Sequence, residues 1–372
     1  MSIRAKQIGL MVFSVALFFL IGEIASRYWL KHWATKDQYH EFAIYTDIPA
    51  KEWALSPHHY QIYYPTPNYR LDGNAHNSMG YRGPEISRVK PPGVFRIALL
   101  GGSSTYDTAI PDNNQTFAAK LQDVLGNTCH ASHIEIINAG VPGYTSWESL
   151  INLEFHVLDL SPDLVIYSEA VNDVHARFVL PSAYRSDNGG LRQWWATPPI
   201  PAWERSCFLR ILARGAKRSR QVELEDVSIA PTAVYMFNRA KADNSILMGV
   251  LATNTPAFFE RNLNNMAAIA KAHHIGIMFA TWAHCPAWHD YASITAYTHG
   301  IDENNDVIRK VAERNGAPLF DFAAVMPTDK VYWSDGRHSN EKGAQKKAEL
   351  FAAFINRQHL VTKNAATNTP PP

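Results

Sequence analysis

The chain has 372 residues, 46% of them hydrophobic and 19% charged, with 35 basic against 34 acidic side chains. The resulting charge of +1 excludes nucleic-acid binding driven by bulk electrostatics, since no basic excess exists to displace counterions. The apolar share excludes a largely disordered chain. The three cysteines (Cys129, Cys207, Cys285) lack metal-ligand spacing, which excludes a zinc module or disulfide framework.

At the N-terminus, Arg4 and Lys6 precede an uncharged run from Ile8 to Gly22. Continued through Leu30, the run is long enough to cross a hydrocarbon core of about 30 Å at about 1.5 Å per residue. Glu23 and Arg27, four apart, are spaced to pair on one helical face, and Tyr28, Trp29 and Trp33 suit an aromatic belt. A cleaved signal peptide competes with an uncleaved anchor for residues 1–30. Ile24-Ala25-Ser26-Arg27 is a poor cleavage site, so the anchor is the better reading. The balance of flanking basic residues leaves the orientation open.

Residues 31–93 are aromatic and polar, carry prolines at 49, 57, 65, 67, 84, 91 and 92, and read as a stem that wraps a domain surface. Pro91-Pro92-Gly93 marks a boundary. Beyond it, short apolar runs at Phe95–Leu100, Ile134–Asn138, Leu164–Tyr167, Ile275–Ala280 and Pro318–Phe320 predict five buried parallel strands. Helical faces fall between and after them: Phe117, Leu121, Val124 and Leu125; then Leu263, Met266, Ala267, Ala270 and Lys271; then Ala344, Ala348, Phe351, Ala352 and Ile355. Alternating strands and helices over 94–360 predict a three-layer α/β/α sandwich around a mainly parallel five-stranded sheet. Such sheets bind ligands beyond the carboxyl ends of their strands.

Residues 176–256 interrupt this rhythm and read as an insertion or lid. It holds Trp194, Trp195 and Trp203, and six basic residues (Arg205, Arg210, Arg214, Lys217, Arg218, Arg220), expected individually to be solvated. A membrane-surface contact is the alternative reading of that cluster. The tail 361–372 reads as a disordered end.

Polar signals follow the predicted strands. Gly101-Gly102-Ser103-Ser104-Thr105 follows the first and Asn138-Ala139-Gly140-Val141-Pro142-Gly143 the second. Glu169-Ala170-Val171-Asn172-Asp173 follows the third, and Ser334-Asp335-Gly336-Arg337-His338-Ser339 comes after the fifth. A serine hydroxyl needs a base to become a nucleophile. His338 carries an aspartate three residues upstream on a glycine-containing loop, as a base with its orienting group would. Taken singly, each signal has a plainer reading: Ser103 or Ser104 as a helix cap, Asn172-Asp173 as an Asx turn, Asp335-Gly336 as an ordinary turn. Their joint occurrence after strands favours a site.

These blocks resemble those of the SGNH (GDSL-type) serine hydrolases, and of their membrane-anchored bacterial members in particular. Gly-Gly-Ser-Ser-Thr is similar to the nucleophile block Gly-Asp-Ser-x-Thr, and Asp335 and His338 match Asp-x-x-His. Gly143 matches the glycine of the second block and Asn172 the asparagine of Gly-x-Asn-Asp. Asn77-Ser78-Met79-Gly80-Tyr81-Arg82-Gly83 is similar to a stem motif of the anchored members. The resemblance implies a flavodoxin-like sheet, Ser103, Asp335 and His338 as the triad, and Ser103, Gly143 and Asn172 as oxyanion donors. It also implies an extracytoplasmic location. Gly102 in place of aspartate and Ala170 in place of glycine depart from the pattern without removing a reacting group.

No dinucleotide or phosphate-loop motif occurs. Asp302, Asn304, Asp306 and Glu313 mimic part of a calcium loop, but Val307 stands where glycine is needed and the segment reads as helix, with Asp302 as its cap. His284 and His289, flanking Cys285, read as filler near the site mouth. The expectation is a membrane-anchored serine ester hydrolase without metal or cofactor, acting through an acyl-enzyme on an acylated envelope polysaccharide or lipid ester. An exopolysaccharide O-acyltransferase using the same triad, a non-catalytic carbohydrate-binding module of this fold and a membrane scaffold for an envelope complex are the alternatives.

Overall fold

The computed structural model describes residues 3–44, 53–128, 133–193, 200–216, 228–238 and 243–361. Cys129, Trp194, Trp195, Lys217, Arg218, Arg220 and the tail from 362 onward lie outside the described residues.

Five parallel strands form the central sheet: β5 (Val94–Gly101), β6 (His133–Gly140), β7 (Leu164–Ser168), β8 (Gly276–Ala280) and β9 (Leu319–Phe320). Their order is β6-β5-β7-β8-β9, which is the flavodoxin-like arrangement. All eight residues of β5 are buried because helices cover both faces of the sheet. Phe95, Ile97 and Leu99 pack on one side with α4 (Phe117–Thr128) and the helix Glu341–Arg357, through Phe117, Leu121 and Phe351. Ala98 and Leu100 point to the other side and meet Leu263, Met266 and Ile308 of the helices Ala257–Ala272 and Thr295–Asn315. The period-2 alternation of a strand thus supplies two cores from one run of apolar residues.

Before the sheet stand β1 (Leu55–His58) paired with β2 (Ile62–Pro65), and β3 (Arg70–Leu71) paired with β4 (Asn74–Ala75). Arg82 closes this region against the sheet: its backbone bridges Asn138 on β6. Its guanidinium donates to the carbonyls of Tyr106 (3.1 Å), Asp107 (2.8 Å), Ile110 (2.5 Å) and Pro111 (3.2 Å). A buried guanidinium needs that many acceptors to offset its desolvation.

At the N-terminus, α1 (Ile3–His32) is the one helix among the described residues long and apolar enough to cross a membrane. Glu23 and Arg27 do pair on it, at 2.6 Å.

Two expectations require correction. Asp302 does not cap a helix: the helix begins at Thr295 and Asp302 lies about two turns further on. The apolar spacing of Ile301, Val307, Ile308 and Val311 extends back through Tyr297, no proline interrupts it, and Gly300 is buried within the helix. Arg210 and Arg214 are not solvated. Both are buried, because Arg214 pairs with Glu204 at 2.9 Å and both donate to backbone carbonyls around α2 (Lys36–Phe42).

Candidate active site

Ser103 opens α3 (Ser103–Tyr106), directly after β5. Gly101 holds φ +159°, and a Cβ there would stand 2.6 Å from the carbonyl oxygen of Ser168. Gly102 ends the extended chain, and a Cβ on it would stand 2.3 Å from Oε2 of Glu169 and 2.5 Å from the Asn172 amide nitrogen. The strand-to-helix turn is therefore sharp enough to bring Ser103 to the rim because neither residue carries a side chain. The departure at Gly102 acquires a physical reason: Glu169 occupies the space that a side chain at 102 would need.

His338 reaches Ser103 from the far end of the chain. Its Nε2 lies 2.7 Å from Ser103 Oγ and its Nδ1 2.8 Å from Asp335 Oδ2. An ionised carboxylate can only accept, so the imidazole proton sits on Nδ1 and the Nε2 lone pair faces the serine hydroxyl. The other Asp335 oxygen accepts from the backbone N–H groups of Arg337 (2.7 Å) and His338 (2.8 Å), which closes the loop on itself. Burial by itself would raise the Asp335 carboxyl. The His338 hydrogen bond and charge, with the Arg337 backbone bond and charge, outweigh it and hold the group below the usual carboxylate range. Asp335 is therefore the anionic partner of the imidazole around neutral pH.

Arg337 was not singled out by sequence reasoning, although it lies inside the Asp-x-x-His block. It stacks on Tyr291 (4.2 Å to the ring centroid), donates to the Tyr291 hydroxyl (2.7 Å) and pairs with Asp290 (2.9 Å). The loop after β8 thereby supports the His338 loop. His284, on the same loop, stacks parallel to Trp282 at 6.1 Å, and Trp282 Nε1 donates to Ser104 Oγ at 3.0 Å.

The remaining candidates come from β6 and β7. Gly143 adopts φ +75° on the turn before α5 (Ser146–Asn152). Tyr144 Oη donates to the Tyr63 carbonyl, and Arg192 donates to the Gly143 carbonyl, so the stem and the insertion hold this turn from two sides. Asn172 lies on the first turn of α6 (Val171–Arg177) and donates one amide N–H to the Tyr144 carbonyl at 2.8 Å. Its primary amide carries a second N–H. The structure thus brings Ser103, Asn172, Asp335 and His338 together at the carboxyl edge of the sheet, with the Gly143 turn tied to Asn172 through Tyr144.

Three buried carboxyls beneath this rim were missed as titratable groups. Burial pushes Asp107 up to about 6, Glu169 up to about 7 and Asp173 up to about 8. Glu169 accepts from the N–H groups of Ala170 (2.8 Å) and Asn172 (3.1 Å), and Asp173 from Ser146 N (2.8 Å) and Oγ (2.6 Å). Glu169 directly follows the buried β7, a position visible in the sequence, whereas Asp173 lies on α6 and carried no such signal.

Residues 99–346, more than half of the chain, match the model of the GDSL-like lipase/acylhydrolase family. The chain belongs to that family. This GDSL-type protein is accordingly an enzyme acting on ester bonds. Among solved structures, it is similar to a lipase/acylhydrolase from Enterococcus faecalis at 17% identity, covering 71% of this chain and 96% of that one with a TM-score of 0.43. It is also similar to LAE5, an α/β hydrolase from the metagenome of Lake Arreo in Spain, at 18% identity, 70% and 95% coverage and a TM-score of 0.42. An acetyl xylan esterase matches at 14% identity, 70% and 100% coverage and a TM-score of 0.43. No curated protein matches the chain. Family membership rests on the 99–346 match.

Proposed function

We propose that the chain is a membrane-anchored serine esterase in which Ser103 is the nucleophile, His338 the general base and Asp335 the group that orients and stabilises the imidazole. The observation carrying this reading is the Ser103 Oγ to His338 Nε2 distance of 2.7 Å, within the reach that proton transfer requires. His338 takes the hydroxyl proton as Ser103 Oγ bonds to the ester carbonyl carbon. It then gives that proton to the departing alcohol, which leaves an acyl-enzyme. Water, deprotonated by the same imidazole, releases the acid and restores Ser103. The N–H groups of Ser103 and Gly143 and the second amide N–H of Asn172 are the donors assigned to the oxyanion.

The reading places residues 94–360 as the hydrolase domain, α1 as an uncleaved anchor and the domain on the extracytoplasmic side. An acylated envelope polysaccharide or a lipid ester is the substrate class that location offers. The full chain in detergent, offered short and long p-nitrophenyl esters, should hydrolyse at least one. Ser103→Ala should not, and should lose labelling by a fluorophosphonate. Undiminished hydrolysis by Ser103→Ala would remove the mechanism.

A further inference from the structure

The helix α7 (Cys207–Gly215) turns both of its arginines inward. Its two arginines, Arg210 and Arg214, are buried against the stem, while Leu212 is 54% exposed to solvent. Trp203, on the turn that precedes α7, is 41% exposed. A helix on an aqueous surface turns its charged face outward and its apolar face inward. Here the ion pair with Glu204 and the carbonyls near α2 hold the charged face inside. Cys207 and Ile211 pack inward beside Leu30, Ala43 and Trp53, and Leu212 is left facing outward.

What covers that face is indicated by where α7 begins. The Glu23 carboxylate of α1 accepts from Ser206 Oγ (2.7 Å), Cys207 N (3.1 Å) and Phe208 N (3.1 Å), so it caps the first turn of α7. Arg27 donates to the Arg205 carbonyl at 3.0 Å. The Phe208 ring lies against Gly22, where a Cβ would stand 3.0 Å from it, and meets the rings of Phe18 and Phe19 edge-on at 5.7 and 6.1 Å. Glu23 stands seventeen residues beyond Lys6, about 25 Å along a helix and hence near the second edge of a core of about 30 Å. Exposed Tyr28 and Trp33 follow on α1, where an aromatic belt would lie.

We propose that α7 lies in the lipid–water interface beside α1, with Leu212 in the acyl boundary, Trp203 among the headgroups and the arginines turned toward the protein. The insertion would then dock the hydrolase domain on the bilayer surface and set its orientation there. This inference rests on the anchored reading of α1. The partner is a lipid surface, because the face is continuous with a helix whose apolar window is unburied within the protein and contributes its own aromatic ring to that helix. Amphipathic helices of this kind bury their apolar face about 5–10 Å into the headgroup–acyl boundary.

The test uses the full chain, carrying Cys129→Ser, in phosphatidylcholine–phosphatidylglycerol nanodiscs. A fluorophore is attached at Leu212→Cys, at Trp203→Cys or at Val15→Cys, and chains without an introduced cysteine supply the background. Nitroxide placed shallow in the acyl chain should quench the Leu212→Cys and Trp203→Cys reporters by about twofold or more, and deep nitroxide should quench Val15→Cys. Deep quenching at Val15→Cys with no shallow quenching at either other site would overturn the interfacial helix, leave the anchor standing and point to a protein cover for this face. Loss of quenching at all three would overturn the anchor as well. Leu212 and Trp203 are both exposed, so the two reporters test the same surface without disturbing a core.

Discussion

Tyr144 donates its hydroxyl to the Tyr63 carbonyl at 2.6 Å, and Tyr63 donates its own to the Pro142 carbonyl at 2.8 Å. Both side chains are fully buried, and the reciprocal pair fastens the stem to the turn that carries Gly143. The stem is thereby a structural part of the site.

Tyr63→Phe removes one of those bonds and leaves the Pro142 carbonyl without that donor, at a cost of about 1 kcal/mol of stability. If Gly143 N–H is an oxyanion donor, kcat for a p-nitrophenyl ester should fall roughly 3–10-fold while KM stays near its wild-type value. A change confined to KM would show that the turn binds substrate without stabilising the developing charge.

The proposed triad predicts non-additive losses. Ser103→Ala should lower kcat on the order of 10⁴-fold or more, and adding His338→Ala should lower it little further, since neither group acts without the other. Asp335→Asn should also be severe, because an amide cannot hold the Nδ1 tautomer as a carboxylate does. In the wild type, kcat/KM should fall on the acid side, because an imidazolium has no lone pair to accept the serine proton. A profile flat through the acid range would exclude imidazole as the base.

The buried carboxyls should each subtract stability as pH rises, opposite in sign to His58 and His76, which burial holds at about 4. Burial raises Glu169 to about 7, so between its ordinary value near 4.5 and about 7 the unfolded chain releases a proton that the folded chain keeps. The folded state is favoured fully below that window and pays the whole penalty above it. For Glu169 alone this is on the order of 3 kcal/mol. Asp107 and Asp173 act with the same sign, and the buried Lys347 faces both Asp107 and Glu169. Thermal melts at pH 5 and pH 8 should show a smaller difference for Glu169→Gln than for wild type. Equal differences would place the ionisation elsewhere.

Phe351 joins α4 to the C-terminal helix, its ring 5.0 Å from Phe117 and 4.8 Å from Phe320. Phe351→Ala should cost about 3–5 kcal/mol in urea unfolding, by lost burial plus the cavity left behind. A loss under about 1 kcal/mol would mean that the helix collapses into the gap.

Local chemistry made much of this molecule legible. The five runs of β-branched and apolar residues read as buried strands, and each strand found in the sheet overlaps its predicted run within about two residues, the usual uncertainty of such boundaries. The polar blocks carrying Ser103, Asn172, Asp335 and His338 were visible because parallel strands all deliver their carboxyl ends to one rim. Tertiary structure alone decided the rest. Periodicity cannot report which backbone carbonyls a guanidinium will find, so Arg210 and Arg214 looked solvated and are buried. Nor could a linear pattern place Glu169 against Gly102, or bring Glu23 of the first helix to the amide groups of Cys207 and Phe208. Such contacts join residues far apart in the chain, and hydrogen-bond complementarity between them exists only once the backbone has folded.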